Sequence, residues 1–197
     1  MGNVPAGPMI EIDWIPEPAV IAAGYVTFGV SFRSFKEPLK RSVEKVMMPS
    51  ITKNFDLEGR PRWPRLAEET IITRQMLGFS SGPILDRTGE LRDVATSFNI
   101  WTISSDKAEI PDLPGDVWYG KVHQGGAAFS ISAGGGPVNA LRRIAGLRSQ
   151  RSITGTGVIP KREFLLIQNE DIDHIEEVFM DWVRERAVMS GFRPGIG

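Results

Sequence analysis

The side chains most often used for catalysis and metal binding are scarce in this sequence. It contains two histidines, His123 and His174, and no cysteine. Asp171, Asp173 and His174 are close enough in sequence to suggest a metal site, since carboxylates and imidazoles are common ligands. Acidic residues are also expected in the first turn of a helix, where they interact favourably with the helix dipole. We therefore favour a helix start over a metal centre.

His123 lies beside Gln124 and could serve as a general base. No carboxylate is near it in the sequence, so a structural histidine bonded to the backbone is the favoured interpretation. No Gly-x-Ser-x-Gly nucleophile motif occurs. Gly155-x-Gly157 continues into Val-Ile-Pro, which fits neither a dinucleotide-binding fingerprint nor a phosphate-binding loop. We predict a protein without catalytic residues, cofactor or metal, which is not an enzyme.

Basic and acidic residues are segregated along the second half of the chain. Residues 117–162 contain seven Lys or Arg and no acid, whereas residues 163–187 contain eight acids and two arginines. Three interpretations remain open: two solvated faces of a monomer, head-to-tail contact between subunits, or contact of the arginines with a phosphate backbone. Phe129 is the one aromatic residue of segment 127–158, which argues against base stacking. The candidates for subunit or DNA contact are Arg142, Arg143, Arg148, Arg151, Lys161 and Arg162.

Composition indicates an ordinary folded protein. The chain has 197 residues, of which 41% are hydrophobic and 24% charged, with a net charge of −1. No apolar run approaches the roughly 20 residues that cross a membrane, and the first residues do not resemble a signal peptide, so we expect synthesis in the cytoplasm. We predict one domain over residues 9–191, with a flexible arm at 1–8, a flexible tail at 192–197 and a glycine- and arginine-rich loop at 127–158.

Hydrophobic periodicity indicates the elements that position these residues. An amphipathic helix is predicted over residues 35–55, with its inward stripe at Leu39, Val43, Val46, Met47 and Ile51 and a kink at Pro49. Further helices are predicted at 64–77, around 139–147 and from a cap at Asn169 onward. Strands are predicted at 9–15, 24–35, 95–103 and 164–167, because apolar and β-branched residues alternate or cluster there.

Residues 83–93 join the helical first half to the predicted sheet. Asp86 and Thr88 can bond nearby backbone amides, and Gly89 can adopt a positive φ. Thr88 is the predicted N-cap of a short helix, with Leu91 as its first inward residue. A surface turn that opens a helix is the plain interpretation.

Four short motifs follow one another in a fixed order. They are Phe-x-x-Glu-Gly-Arg-Pro-Arg-Trp at 55–63, Pro-Ile-Leu-x-x-Thr-Gly-x-Leu at 83–91, Tyr-Gly-x-x-His-Gln-Gly at 119–125 and Ile-Pro-x-Arg-x-Phe-Leu at 159–165. We call them motifs 1 to 4. Their order resembles that of the virion morphogenesis family of tailed bacteriophages, over residues 36–187. The residues that carry this resemblance, and to which it gives a structural role, are Trp63, Leu85, Asp86, Thr88, Gly89, Leu91, Tyr119, His123, Gln124, Gly125, Pro160, Arg162 and Phe164.

The resemblance implies an α+β fold in which an antiparallel sheet is covered by two main amphipathic helices. It also implies a homo-oligomeric ring, with six subunits expected, at the head-proximal end of the tail. Such proteins complete the tail and allow it to join the head, which implies contact with neighbouring neck or connector and tail-tube proteins. Non-specific contact of this chain with packaged DNA is a further candidate interaction. Tail termination and sequence-independent DNA binding are the alternatives. Gly120, where the family has a small alanine, and the long segment 127–158 depart from the pattern.

Overall fold

The computed structural model describes residues 18–131 and 155–192. Their helices are α1 (Pro18–Ser31), α2 (Lys36–Ser42), a π-helical turn (Val43–Met47), α3 (Met48–Asp56), α4 (Glu68–Met76), α5 (Glu90–Ala95), α6 (Tyr119–Gly125) and α7 (Asn169–Met189). Two 3-10 turns lie at Phe98–Ile100 and Gly115–Val117. None of these helices is long and apolar enough to cross a membrane. The predictions for residues 1–17, 132–154 and 193–197, among them the 139–147 helix and four of the contact arginines, lie outside the described ranges.

The α+β class is confirmed, with small antiparallel sheets in the described residues. Strand β1 (Thr102–Ile103) pairs with β2 (Ala108–Glu109), and β3 (Ala127–Ile131) pairs with β4 (Gly155–Ile159). The second pair runs in register from Ala127 opposite Ile159 to Ile131 opposite Gly155. It therefore brings together the two ends of the glycine- and arginine-rich segment 127–158.

The predicted helix at 35–55 is confirmed as α2, the π-helical turn and α3 in direct succession. Val43, Val46, Met47 and Ile51 of the predicted stripe are all buried. The backbone N–H of Met48 bonds to the carbonyl of Val43, five residues back, which marks the wider turn just before Pro49. Proline has no N–H to continue the α-helical pattern, so a local change of helix type at this point agrees with the predicted kink.

The strand predicted at 24–35 is wrong, because these residues belong mainly to α1. Its residues were assigned by their alternation, but Gly24, Phe28 and Phe32 are also spaced four apart and share one helix face. That face packs on α7 and the residues after it. Phe32 lies 5.6 Å from Trp182, and Phe28 lies 5.7 Å from Phe192, between ring centroids. Aromatic packing across the two helices outweighs the local preference for a strand.

Two further strand predictions are wrong in most of their length. Residues 95–103 form the end of α5, a 3-10 turn and only the short β1, and residues 164–167 are not a strand. The last helix begins as predicted, although Gln168 and not Asn169 is its N-cap. Gln168 and Asp171 form a capping box there.

The main core forms where the helices meet motifs 1 to 4. Its most buried side chains are Ile51, Phe55, Trp63, Ile84, Leu91, Ala95, Leu113, Val117 and Phe164. Phe55 lies 5.7 Å from Trp63 and 5.6 Å from Phe164 between ring centroids. Motif residues thus form the centre of the protein.

Candidate functional site

Motif 1 folds back on itself immediately after α3. Glu58 and Gly59 both have positive φ, at 54° and 99°. A Cβ on Gly59 would lie 2.4 Å from Cδ1 of Trp63, so only glycine allows the indole to pack across the turn. A carboxylate oxygen of Glu58 accepts a hydrogen bond from the backbone N–H of Ile84 at 3.2 Å. The turn thereby connects motif 1 to motif 2.

Motif 4 is held by side chains that bind three successive carbonyl groups. Trp63 Nε1 donates to the carbonyl of Glu163 at 2.9 Å, and Asn54 Nδ2 donates to that of Phe164 at 3.0 Å. Gln124 Nε2 donates to the carbonyl of Leu165 at 2.8 Å. We call this arrangement the carbonyl clamp. It fixes a segment that lies outside any strand and therefore lacks regular backbone partners.

Gln124 makes the largest contribution to the carbonyl clamp. Its Oε1 accepts hydrogen bonds from the backbone N–H groups of Phe164 at 3.0 Å and Leu165 at 3.1 Å. Together with the bond from Nε2, one side-chain amide satisfies two donors and one acceptor of motif 4. Only an amide side chain offers both donor and acceptor in this geometry, which accounts for glutamine in motif 3.

Arg162 of motif 4 lies inside the protein, not on its surface. The residue is 4% exposed. Its Nε donates to the carbonyl of Pro64 at 3.0 Å and its Nη2 to that of Arg65 at 3.1 Å. These bonds correct the expectation that Arg162 contacts DNA or another subunit, because its guanidinium is occupied within the chain. Lys161 is exposed and forms an ion pair with Glu163 at 2.8 Å.

Motif 2 forms the predicted turn but not the predicted cap. Gly89, with φ of 85°, is the N-cap of α5, and Thr88 makes no side-chain capping bond. Asp86 accepts a hydrogen bond from Arg92 at 3.3 Å, and Arg92 also bonds Asp56 at the end of α3 at 2.5 Å. Leu91 is 2% exposed, as predicted for the first inward residue.

A cleft of about 530 Å³ lies between α4 and the part of the core formed by motifs 2 and 3. Its apolar lining includes Leu66, Leu85 and Leu91. Two guanidinium groups, those of Arg74 and Arg87, and the imidazole of His123 also line it. Thr88 and Tyr119 also line it. Motif residues that are far apart in sequence therefore meet in one concave site, which we call the arginine cleft.

The pKa of Arg74 is lowered by its surroundings in the arginine cleft. Burial lowers the pKa of Arg74, and the nearby charge of Arg87 lowers it further. Arg74 Nη1 donates to the carbonyls of Gly82 at 3.2 Å and Pro83 at 3.1 Å, which attaches α4 to motif 2. The guanidinium of Arg87 lies 4.9 Å from the centre of the Phe79 ring.

The side chain of His123 is partly buried and lines the arginine cleft. Burial lowers its pKa, with smaller contributions from Arg162 and Arg74, so the neutral imidazole is favoured. Its buried Nδ1 has no hydrogen-bond partner among the described residues. Its backbone carbonyl accepts from the N–H of Arg162 at 2.7 Å. The residue therefore joins motifs 3 and 4 through its backbone.

The Asp171, Asp173 and His174 sequence is part of a helix start. Asp171 is buried, and its Oδ2 accepts from the hydroxyl of Ser50 at 2.7 Å and from the N–H of Gln168 at 2.8 Å. Asp173 and His174 are exposed. Within the described residues, no group of three His, Cys, Asp or Glu side chains could hold a metal ion.

Sequence reasoning missed Asn54, which is fully buried and belongs to the carbonyl clamp. A signal was present, since Asn54 lies three residues after Ile51 and seven after Met47, on the apolar stripe of the helix. A polar residue on such a face requires a buried hydrogen-bond partner. Sequence reasoning also missed Arg74, which bonds the carbonyls of Gly82 and Pro83 only because α4 packs beside motif 2.

The family model of the phage virion morphogenesis family matches residues 33–184. The match covers all four motifs and the helices from α2 to most of α7. Searches of curated proteins and of solved structures gave no match.

Proposed function

This chain belongs to the phage virion morphogenesis family, and we propose that it is a non-enzymatic subunit of a ring that completes the tail at its head-proximal end. The family establishes a structural role in building a phage particle. The position at the head-tail junction and the ring are our proposal. Neighbouring neck or connector proteins and tail-tube proteins would then be its partners.

The observation that carries the proposal is the surface of α1. This helix has no charged residue over its 14 positions. Its outer side leaves Val20, Val26 and Val30 between 48% and 68% exposed. Exposed apolar side chains grouped on one uncharged helix are typical of a protein–protein interface and unfavourable in water. In a particle, neighbouring proteins would bury these apolar side chains and remove them from water.

The motifs support a structural role in a second way. Gln124, Trp63 and Asn54 use their polar groups to hold motif 4, and Arg162 is bonded to backbone carbonyls. These bonds leave the motif residues as parts of the scaffold. The exposed elements around that scaffold are then available for contact with other proteins.

Particles that lack this protein provide the test. We expect DNA-filled heads beside separate tails of normal length in electron micrographs, because a tail that is not completed cannot join the head. Wild-type particles should contain the protein in several copies, detected by mass spectrometry and located at the junction by gold-labelled antibody. Tails of uncontrolled length would support tail termination instead. A protein absent from purified wild-type particles would refute both assignments.

DNA binding through the basic segment 127–158 is the weaker candidate. Arg142, Arg143, Arg148 and Arg151 stay predicted contacts, because they lie outside the described residues. Replacing all four with alanine should abolish binding to arbitrary DNA if they bind phosphates, and the wild-type affinity should fall steeply with salt. Undetectable binding by the wild-type protein at low salt would remove this candidate.

A further inference from the structure

The arginine cleft is suited to an apolar side chain that is flanked by carboxylates. Its lining includes the accessible side chains of Leu66, Leu77 and Leu85, and the guanidinium groups of Arg74 and Arg87 also line it. Arg87 is exposed and forms no ion pair among the described residues. Arg74 uses one nitrogen to bond two carbonyls and likewise has no carboxylate partner in the described part of the chain. Glu69, the one carboxylate among the lining residues, does not balance both charges.

The outer face of α7 has the complementary chemistry. Ile172, Glu176 and Met180 are spaced four residues apart, so they follow one another along one side of the helix. Ile172 is 48% exposed and Met180 is 52% exposed. Asp173, Glu176 and Glu177 are exposed and have no ion-pair partner among the described residues. The opposite side of α7 carries the buried Trp182 and is already packed on α1 and α2.

We propose that the outer face of α7 in one copy docks into the arginine cleft of the next copy. Ile172 or Met180 would contact the leucines, while Glu176 and its acidic neighbours would face Arg74 and Arg87. The proposal rests on the ring assignment made above. It adds to that assignment the two surfaces that meet and the chemistry that joins them.

A second copy fits both surfaces better than nucleic acid does. Phosphate groups could pair with the two arginines, but they would leave the leucine lining and the exposed Ile172 and Met180 without apolar partners. A copy of the same chain satisfies the apolar and the charged groups of both surfaces at once. Because the two surfaces lie on different elements, the contact is heterologous, and such a contact closes into a ring when the rotation between copies permits it.

Crosslinking in particles can detect this contact directly. The chain has no cysteine, so Arg87→Cys and Glu176→Cys introduce the only thiols of the protein. Both positions are exposed, so neither substitution removes core packing. We expect a short bismaleimide to convert the double variant into a ladder of covalent multimers on a denaturing gel. Each single variant should remain monomeric, and particles that contain both single variants should give dimers.

Charge reversal supplies an independent test of the same contact. Arg87→Glu and Glu176→Arg should each reduce incorporation into particles by about tenfold or more, because like charges would then face one another. The double variant should restore most of the incorporation. Lys45→Glu is the matched control, since Lys45 is exposed, lies outside the cleft and has no ion pair among the described residues. It should incorporate like the wild-type protein.

The outcomes separate this proposal from the proposed function. Normal incorporation of both reversed variants, or a ring without crosslinks in the double cysteine variant, would overturn the docking proposal and leave the ring intact. Dimers formed by one single variant alone would indicate contact between like surfaces, which also overturns it. Loss of DNA binding in Arg87→Glu with unchanged incorporation would assign the cleft to phosphate. Absence of the wild-type protein from particles would overturn the ring assignment itself.

Discussion

Replacement of Gln124 by alanine is expected to destabilise the protein strongly, because one side chain makes three of the bonds that hold motif 4. The variant loses the two bonds accepted by Oε1, at 3.0 and 3.1 Å, and the bond donated by Nε2 at 2.8 Å. A typical internal hydrogen bond contributes about 1 kcal/mol net, so the loss is about 3 kcal/mol. The backbone N–H of Phe164, and both the N–H and the carbonyl of Leu165, would lose these partners.

For a chain of this size, 1 kcal/mol corresponds to roughly 2–4 °C in melting temperature. Gln124→Ala should therefore melt about 6–12 °C below the wild-type protein in a scanning calorimeter. Gln124→Glu keeps the acceptor but places a carboxylate oxygen against the carbonyl of Leu165, so it should not restore the stability that Gln124→Ala loses. Urea unfolding with an unchanged slope would show that the change lies in stability and not in the compactness of the unfolded state.

Lys121→Ala is the control on the same helix. Lys121 is exposed and pairs with Asp112 at the surface, where an ion pair contributes little. Its melting temperature should stay close to that of the wild-type protein. If Gln124→Ala loses no more stability than Lys121→Ala, the carbonyl clamp does not stabilise the fold and our account of motif 3 is refuted.

Three further predictions concern single positions. Gly120→Ala should destabilise the chain by about 1–3 kcal/mol through overpacking, because its Cβ would lie 2.6 Å from Leu113 Cδ1 and 2.8 Å from Leu91 Cδ1. Gly125→Ala in the same helix meets nothing within 4 Å and should be neutral or slightly stabilising; equal urea midpoints for the two variants would contradict this. His123 has a folded-state pKa below its ordinary 6.5, so the unfolded chain binds the proton more readily, and stability should fall as pH drops through 6.5 towards that lower value. His123→Gln should lack this part of the pH dependence in unfolding titrations between about pH 5 and 7.5, and an identical slope would exclude the histidine as its source. Gly59→Ala should be among the most destabilising small substitutions, since its Cβ would meet the Trp63 ring at 2.4 Å from Cδ1 and at a φ of 99°. A melting temperature equal to that of the wild-type protein would contradict the proposed packing of this turn.

The amphipathic helices could be predicted because their periodicity reflects burial directly. The stripe from Val43 to Ile51 and the inward position of Trp182 follow from residue spacing alone. The stretch containing Gly24, Phe28 and Phe32 could not be assigned correctly, since a spacing of four fits both a strand alternation and a helix face. Only the aromatic partners on α7 and beyond it decide between the two.

The candidate site could be predicted less well than the helices. Its motifs indicated which residues matter, but not that Gln124 reaches the backbone 40 residues later or that Arg162 is buried. Hydrogen bonds between distant segments leave no periodic trace in a sequence. The sequence predicted Thr88 as the N-cap of α5, because its hydroxyl can accept a backbone hydrogen bond. The conformation of the turn instead places Gly89 at the N-cap, and that conformation could not be predicted from residue types.

The carbonyl clamp also has a consequence for how the chain folds during synthesis. Asn54 and Trp63 leave the ribosome about one hundred residues before their partners at positions 163 and 164. Until those late residues emerge, the aromatic cluster around Phe55 lacks Phe164, and the indole and amide groups have no partners. Folding should therefore complete late, because closure of the core waits for contacts between residues far apart in the sequence. A fragment that stops before residue 163 should be sensitive to proteases, even though it contains the sequences of most of the helices.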